Sequence, residues 1–285
     1  MTRRRYAFDE ARVQRFLAEG RGTGDGPRYR PWLQIQDVSS LGRSHRPFGI
    51  KTQRVHHLLS DGEWKSFLKL EADHKVIDIW EQFPMDRFET FRLAQKLGIR
   101  HPITLDGTPY VMTLDFVVTV SFPHGPRLVP YTFKYRPELL PARDGELMAI
   151  TRAFCAARGM ELQLIDESFF DEPFVLNYDS VRAFDDISKL SFSQEVNVSD
   201  VTAALVGEIL LGGDETMLRT CRALAGSFET KALVVYQIAM HLVSRGVLRV
   251  NLSSTTGLER LPLSAYTAVV QDLREVARCC RSTHC

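Results

Sequence analysis

The alternation of apolar and polar residues is clearest between positions 111 and 135. Every even-numbered residue from 112 to 120 is apolar, and Asp115 lies among the more polar residues between them. A repeat of two residues is typical of a β-strand with one buried face. A Pro-His-Gly-Pro turn occupies residues 123–126, and residues 128–135 alternate again. We therefore predict a β-hairpin formed by residues 111–120 and 128–135.

Apolar residues spaced three or four positions apart predict helices around this hairpin. The predicted helices cover residues 8–19, 86–97 and 145–158, and a further helix begins at Ser60. Short apolar runs predict strands at residues 75–80 and 161–166, and residues 81–84 are predicted to end the first of them. From Ser60 onward, the order helix, strand, helix, hairpin, helix, strand predicts an α/β fold with helices packed against a mixed sheet.

The last hundred residues follow a different pattern, with helical periodicity at 200–211, 214–224 and 229–244. A strand is predicted at residues 247–252 and a returning strand near Leu261. Three helices followed by a hairpin favour a winged-helix domain, and a plain helical bundle is the alternative. The third helix offers few side chains that read bases, so we expect it to dock protein or to contact DNA without sequence preference. We place the boundary in a polar stretch, which predicts domains at 1–185 and 186–285.

Charge is distributed unevenly in this chain of 285 residues. The formal net charge is only +1, but the first sixty residues contain twelve Arg or Lys against five Asp or Glu. A basic amino-terminal segment suggests a phosphate-rich partner, and a solvated flexible arm is an equally good interpretation of the charge alone. Two loops rich in glycine and basic residues, 20–32 and 41–54, suit close approach to phosphates or are plain surface connections. The candidate DNA-binding residues in them are Arg21, Arg28, Arg30, Arg43, Arg46, Lys51 and Arg54.

Targeting and membrane segments are not expected. The basic start of the chain has no apolar run after it, and the most apolar run, residues 232–243, is too short to span a bilayer. Five cysteines, an odd number, favour reduced thiols in the cytoplasm. The tail contains Cys279, Cys280, His284 and Cys285, but their spacing matches no zinc-ligand pattern, so a frayed terminus is the favoured interpretation.

The candidate chemistry lies on the polar face of the hairpin, where Asp115 and Lys134 come together if the strands pair. An acid and a lysine on adjacent strands are typical of restriction-endonuclease-like nucleases, in which the acid binds Mg²⁺ and the lysine steadies water and phosphate. A cross-strand ion pair without catalytic role is the commoner meaning of such a hairpin alone. Glu63 has two interpretations: it completes a capping box with Ser60, or it supplies a second metal carboxylate.

Several long motifs in the right order resemble the TnsA family, the endonuclease subunit of heteromeric cut-and-paste transposases. The similarity is dense over residues 19–115, including EGRGTGDGPRYRPWLQIQDVSSLGRSHR, KTQRVHHLLSDGE, IDIWEQFP, GIRHP and MTLDF. It continues more loosely through FKYRP to the strand at Glu161 and fades in the last hundred residues. The resemblance implies a restriction-endonuclease-like catalytic domain.

The resemblance also implies roles for individual residues. Glu63 and Asp115 match the two catalytic acids of the family, and Lys134 matches its catalytic lysine. Thr132 stands where this nuclease superfamily usually has a carboxylate or an amide, so it would be a weak metal ligand, helped by the Phe133 carbonyl. The implied cofactor is Mg²⁺, with Mn²⁺ as a substitute. Glu146 is an alternative relocated carboxylate, although a solvated acid at a helix start is the favoured interpretation.

The partners implied by the resemblance are double-stranded DNA at transposon ends, a DDE-type transposase and an AAA+ regulator that docks on the carboxy-terminal domain. The expected activity is cleavage of the 5′, non-transferred strands. A non-catalytic assembly factor bridging transposase and regulator is the rival interpretation, and Thr132 is the best argument for it. A stand-alone nuclease would need its own sequence reader, and the sequence offers none.

Overall fold

The computed structural model describes residues 8–38, 42–104, 106–189 and 196–269. The chain divides into two compact units, Met1–Phe170 and Asp171–Cys285. This division falls earlier in the chain than the predicted boundary at 185. The reason is a helix at Glu172–Arg182, which the sequence reading did not identify and which buries Val181 in the core of the second unit.

The first unit is an α/β structure. Its helices and strands, in chain order, are α1 Glu10–Ala18, β1 Phe48–Gly49, β2 Arg54–Val55, α2 Asp61–Ala72, β3 Val76–Pro84, α3 Arg87–Lys96, β4 Thr113–Val120, β5 Arg127–Phe133, α4 Ala142–Ala156 and β6 Gln163–Ile165.

A four-stranded mixed sheet forms the centre of the first unit, in the order β3, β4, β5, β6. The first three strands are antiparallel, and β5 and β6 are parallel. The predicted hairpin is confirmed as β4 and β5. The prediction that residues 81–84 end the preceding strand is wrong, because β3 continues to Pro84 and pairs with β4 along its length. Glu81 and Gln82 therefore lie within the sheet.

Helix starts in this unit are fixed by side-chain caps. Asp9, Ser60 and Asp86 each accept a hydrogen bond from a backbone N–H in the first turn of α1, α2 and α3. Such caps satisfy amides that have no partner within the helix. Helices α3 and α4 pack together, and their buried side chains form one apolar cluster with β4. The cluster anchors the strand that holds Asp115.

The outer edge of β3 is covered by the segment that precedes α2. The Trp32 N–H donates to the Gln82 carbonyl at 3.2 Å, and the Tyr29 hydroxyl donates to the Glu81 carbonyl at 3.1 Å. An uncovered edge presents unpaired backbone groups that invite pairing with other chains. The first glycine- and arginine-rich loop, residues 20–32, thus has a structural role at this edge.

The second unit contains four helices and a small antiparallel ribbon among its described residues. They are α5 Glu172–Arg182, α6 Val198–Leu211, α7 Met217–Ser227, α8 Ala232–Ser244, β7 Leu248–Arg249 and β8 Thr267–Ala268.

Three of these helices followed by a two-stranded ribbon match the predicted order, and the winged-helix assignment stays a prediction. The returning strand expected near Leu261 is at Thr267–Ala268 instead, because the Leu261 carbonyl accepts a hydrogen bond from Met217. Much of α8 is buried, including Val235 and Ile238, so most of this helix is core.

None of the helices within the described ranges has the length and apolar character needed to cross a membrane. Cys155 and Cys221 are buried free thiols. The predicted terminal cluster of Cys279, Cys280, His284 and Cys285 lies outside the described residues.

Candidate active site and metal centre

Asp115 lies near the start of β4 and is held from the neighbouring strand. One of its carboxylate oxygens accepts a hydrogen bond of 2.8 Å from the Phe133 N–H, and the Thr132 hydroxyl is hydrogen-bonded to the same carboxylate. The backbone pairing of β4 and β5 ends one step earlier, at Phe116 and Tyr131. The Asp115 side chain therefore continues the hydrogen bonding beyond the last backbone pair, and its orientation is fixed.

Glu63 lies in the first turn of α2 and is only 7% exposed. Its N–H donates to the Ser60 hydroxyl oxygen at 3.1 Å, as the capping-box reading predicts. Its carboxylate, however, has contacts both at the helix start and beyond it. It accepts hydrogen bonds from the Leu59 N–H at 3.0 Å, the Ser60 hydroxyl at 3.1 Å and the Gln82 amide at 3.1 Å. The carboxylate thus reaches from the helix to the sheet.

The charges of the two acids interact. Burial, and secondly the Asp115 carboxylate, raise the pKa of Glu63 to about 8. Burial also raises the pKa of Asp115, against the opposing effects of Lys134, the Phe133 N–H and Thr132. Like charges held together away from water disfavour ionisation of both groups. The structure therefore brings Glu63, Asp115 and Lys134 into one electrostatic neighbourhood.

Gly62 allows α2 to approach β5 closely enough for this arrangement. A Cβ atom at this position would lie 2.1 Å from the Phe133 ring. The Gly62 N–H is also hydrogen-bonded to the hydroxyl of Tyr135, just beyond the end of β5. A side chain on residue 62 would push the helix start, and Glu63 with it, away from the strand.

Gln82 belongs to this neighbourhood, and the sequence reading missed it. The pairs Glu81–Phe116 and Phe83–Leu114 place Gln82 opposite Asp115. The apolar run predicts a strand that ends at residue 80, so the sequence pattern assigns no role to this glutamine. The only available signal was its position in the IDIWEQFP motif.

The donor set of the site suits a hard divalent cation. Two carboxylates plus water and a substrate phosphate are the usual way in which proteins hold Mg²⁺. The Phe133 carbonyl is a further candidate donor, because the N–H and C=O of a strand residue point toward the same neighbour and its N–H faces Asp115. Thr132 is 5% exposed and its hydroxyl is engaged with Asp115. Among the described residues, no group of three or more His, Cys, Asp or Glu side chains is arranged to hold a metal.

Glu146, the alternative carboxylate, is exposed on α4 and forms an ion pair with Arg143 at 2.7 Å. This placement agrees with the interpretation of a solvated acid near a helix start. No contact of Glu146 with Glu63 or Asp115 is present in the structure's hydrogen bonds and ion pairs over the described ranges.

Two basic residues predicted to bind DNA are instead buried in ion pairs. Arg21 is 8% exposed, pairs with Asp37 and donates to the Trp32 carbonyl at 3.1 Å. Arg54 is 7% exposed, and two of its nitrogens donate to Glu81 at 2.8 and 2.5 Å. Guanidinium groups engaged in this way have little left to offer a phosphate. Arg21 and Arg54 thus have a structural role, and DNA binding by these two residues stays an untested prediction.

Lys51 has a structural role as well. Its ammonium donates to the backbone carbonyl of Asp73, at the end of α2, and to that of Val76 at 2.8 Å. Burial lowers the pKa of Lys51. Lys51 is only half-buried, and DNA binding by its ammonium stays an untested prediction.

The remaining basic residues of the two loops, Arg28, Arg30, Arg43 and Arg46, are exposed. Arg28 forms an ion pair with Asp25 at 2.6 Å, and Arg30 donates to the Glu19 carbonyl at 2.7 Å. Contact of these four residues with DNA stays a prediction. Arg43 and Arg46 are its strongest part, because they come from the loop just before β1 and point to solvent.

The comparisons with known proteins agree with this geometry. Residues 73–167 match the family model described as TnsA-like endonuclease N terminal. The chain is also 48% identical over 118 residues to the transposon Tn7 transposition protein TnsA of Escherichia coli. That alignment covers 41% of this chain and 43% of the relative, so the chain matches less than half the length of the curated protein. The family match contains Asp115, Thr132 and Lys134 but not Glu63, whose assignment rests on the geometry above.

An α/β unit with a mixed sheet, two interacting buried acids and a neighbouring lysine is typical of a metal-dependent nuclease. The family that residues 73–167 match is described as an endonuclease domain. This match and the similarity to TnsA confirm the resemblance to the TnsA family seen in the sequence.

Proposed function

We propose that this chain is the endonuclease subunit of a transposase, which cleaves the 5′ strands at transposon ends during cut-and-paste transposition. One observation carries the proposal: the carboxylates of buried Glu63 and half-buried Asp115 interact electrostatically beside Lys134, in a unit whose residues 73–167 match an endonuclease family. Its partners would be double-stranded DNA, a DDE-type transposase that cuts the 3′ strands, and an AAA+ regulator that docks on the second unit.

In this mechanism Glu63 and Asp115 would hold Mg²⁺, for which Mn²⁺ could substitute, and the Phe133 carbonyl would assist them. When bound, Mg²⁺ supplies Lewis-acid activation of the scissile phosphodiester and makes water more acidic. The Phe133 N–H and the Thr132 hydroxyl keep Asp115 in one orientation. Lys134 orients the attacking water and offsets the negative charge that develops on the phosphate.

The experiment is strand-resolved cleavage of a transposon end with all partners present. Asp115→Ala and Lys134→Ala should each lower the rate of 5′-strand cleavage by at least about 100-fold, because the first removes a metal ligand and the second removes the positive charge beside the reacting phosphate. Cleavage of the 3′ strand by the partner transposase should persist. Glu146→Ala is the matched control, since it removes an exposed acid that pairs only with Arg143, and it should cut like the parent.

A parental rate of 5′-strand cleavage in Asp115→Ala would show that this chain is not the nuclease. The bridging assembly factor would then be the better account. Loss of both 5′ and 3′ cleavage in Asp115→Ala, with Glu146→Ala active, would show that Asp115 acts on assembly and not on chemistry.

A further inference from the structure

Gln82 makes contacts at both ends of its side-chain amide, and one of these contacts is to the proposed site. Its amide nitrogen donates to the Glu63 carboxylate at 3.1 Å, and its amide oxygen accepts a hydrogen bond from the Thr113 hydroxyl at 3.1 Å. The residue is 2% exposed. A buried amide with both ends satisfied has one orientation, so it fixes the group to which it donates.

The backbone of Gln82 is also unusual. Its φ is +48°, the left-handed region, although it lies inside β3 and is not glycine. A non-glycine residue in this region costs free energy and persists only where surrounding contacts impose it. Here those contacts are the side-chain bonds to Glu63 and Thr113 and the bond from the Trp32 N–H to the Gln82 carbonyl. The distortion turns this one residue of an edge strand toward the helix start.

We propose that Gln82 is a positioning residue that sets the orientation of Glu63 for binding a divalent cation jointly with Asp115. This inference rests on the proposed function, because it needs Glu63 and Asp115 to be metal ligands. Groups that hydrogen-bond to metal ligands commonly change metal affinity about 10- to 100-fold when they are removed. Gln82 would thus matter for the metal site without touching metal or substrate.

The test measures the dissociation constant of Mn²⁺ for the full-length chain without DNA, by calorimetry or by electron paramagnetic resonance of free Mn²⁺. Gln82→Gly keeps the left-handed backbone, which glycine adopts without strain, and removes the amide. We expect it to weaken Mn²⁺ binding about 10-fold or more. Thr113→Val removes only the hydroxyl that anchors the amide, and it should weaken binding in the same direction by a smaller factor.

Gln53→Gly is the matched control. Gln53 is the other described glutamine with positive φ, at +53°, but it is exposed and its amide donates to the Ile50 carbonyl. Its replacement should leave the Mn²⁺ dissociation constant at the parental value. The free energy of unfolding, measured on the same samples, separates loss of metal affinity from loss of the fold. Should Gln82→Gly fail to fold, Thr113→Val decides the question alone.

Asp115→Ala distinguishes failure of this inference from failure of the proposed function. Parental Mn²⁺ affinity in a folded Gln82→Gly protein, together with loss of binding in Asp115→Ala, would overturn the positioning role and leave the nuclease proposal standing. Parental Mn²⁺ affinity in Asp115→Ala would overturn both, because no shared metal site would then exist. Weakened binding in Gln82→Gly and in Asp115→Ala, with Gln53→Gly unchanged, supports the inference.

Discussion

Two buried glutamates in the first unit, Glu63 and Glu81, have opposite electrostatic environments. Glu81 accepts hydrogen bonds from Arg54 and from His56, the latter at 2.8 Å, and from a backbone N–H. Burial alone would raise its pKa, but His56 and Arg54 lower it well below the usual range. Glu63 has neutral donors and a second acid as neighbours, so its pKa rises to about 8. The negative charge of Glu81 is therefore compensated by cationic side chains of the protein, and that of Glu63 is not. We call these the compensated and the uncompensated site.

This difference separates a structural ion-pair site from the proposed metal site. A buried carboxylate with its own cations contributes to the fold and has no need of a ligand. A buried pair of acids without a full set of cations is costly in the protein alone and becomes favourable when a divalent cation binds. The two glutamates are connected through neighbouring residues of β3, since Glu81 and Gln82 are adjacent. The sheet thus holds the compensated site directly beside the uncompensated one.

The largest effect on stability should come from breaking the ion pair between Glu81 and Arg54 at the compensated site. Glu81→Gln leaves the Arg54 guanidinium buried without its counter-ion, and loss of one partner of a buried pair costs about 3–5 kcal/mol in unfolding free energy. Denaturant unfolding followed by tryptophan fluorescence measures it, because the three tryptophans, Trp32, Trp64 and Trp80, all lie in the first unit. An exposed pair provides the control: Glu89→Gln, which loses an ion pair with Arg158, should cost less than about 1 kcal/mol. Equal losses would contradict the comparison.

Gly62→Ala should disturb the uncompensated site by moving α2 from β5. Its Cβ would overlap the Phe133 ring, and overpacking of this kind costs about 1–3 kcal/mol. We expect 5′-strand cleavage to fall together with stability. Gly145→Ala is the control, because its Cβ meets nothing within 4 Å in an exposed part of α4, and alanine there should stabilise by about 0.5–1 kcal/mol. An active, stable Gly62→Ala protein would show that the close approach is dispensable.

The pH dependence of stability should have opposite signs at the two glutamates. The folded-state pKa of Glu63 lies above its ordinary value of 4.5, so between pH 4.5 and 8 the folded protein retains a proton that the unfolded chain has lost. The unfolding free energy of the metal-free protein should therefore fall by a few kcal/mol as pH rises through this window, since each pKa unit of the shift corresponds to about 1.4 kcal/mol. Glu81, with its lowered pKa, acts conversely: its stabilisation is present at neutral pH and is lost in acid.

Asp115→Asn sharpens the pH prediction, because it removes the acid that raises the pKa of Glu63. The fall in stability between pH 4.5 and 8 should become shallower in this variant, while the loss in acid that depends on Glu81 stays as in the parent. Denaturant unfolding at several pH values, with a chelator present, measures both slopes. A parental slope in Asp115→Asn would show that burial alone determines the pKa of Glu63.

The smallest effect is expected at the two basic loops. There, too, some charged groups are buried in ion pairs within the protein, and others are exposed to solvent. Neutralising Arg43 and Arg46 together should weaken DNA association and lower the slope of log affinity against log salt by about two, since each phosphate contact contributes about 0.9. Arg21→Gln should reduce stability without changing the slope, because Arg21 is buried with Asp37. A slope unaltered by the loss of Arg43 and Arg46 would make them ordinary surface residues.

Local pattern was sufficient for much of the fold. The alternation in residues 111–135 predicted the hairpin β4–β5 and the shared face of Asp115 and Lys134, because a strand's period of two assigns each side chain to a face. Ser60 and Glu63 predicted the start of α2, because capping depends on residues three positions apart. The helix at Glu172–Arg182 was missed, since its second half lies within the polar stretch, residues 177–197, in which the boundary was placed.

Tertiary structure alone decided how charges are paired. Seven basic residues in two loops look alike in the sequence, but Arg54 meets Glu81 across 27 positions and Arg21 meets Asp37 across 16. The sequence determined the fold class, the hairpin and the resemblance to a family, because these depend on periodicity and on motifs along the chain. Which buried carboxylate has cationic partners among the described residues and which has none depends on neighbours distant in sequence. Local patterns carry no information about those neighbours, and only packing brings them together.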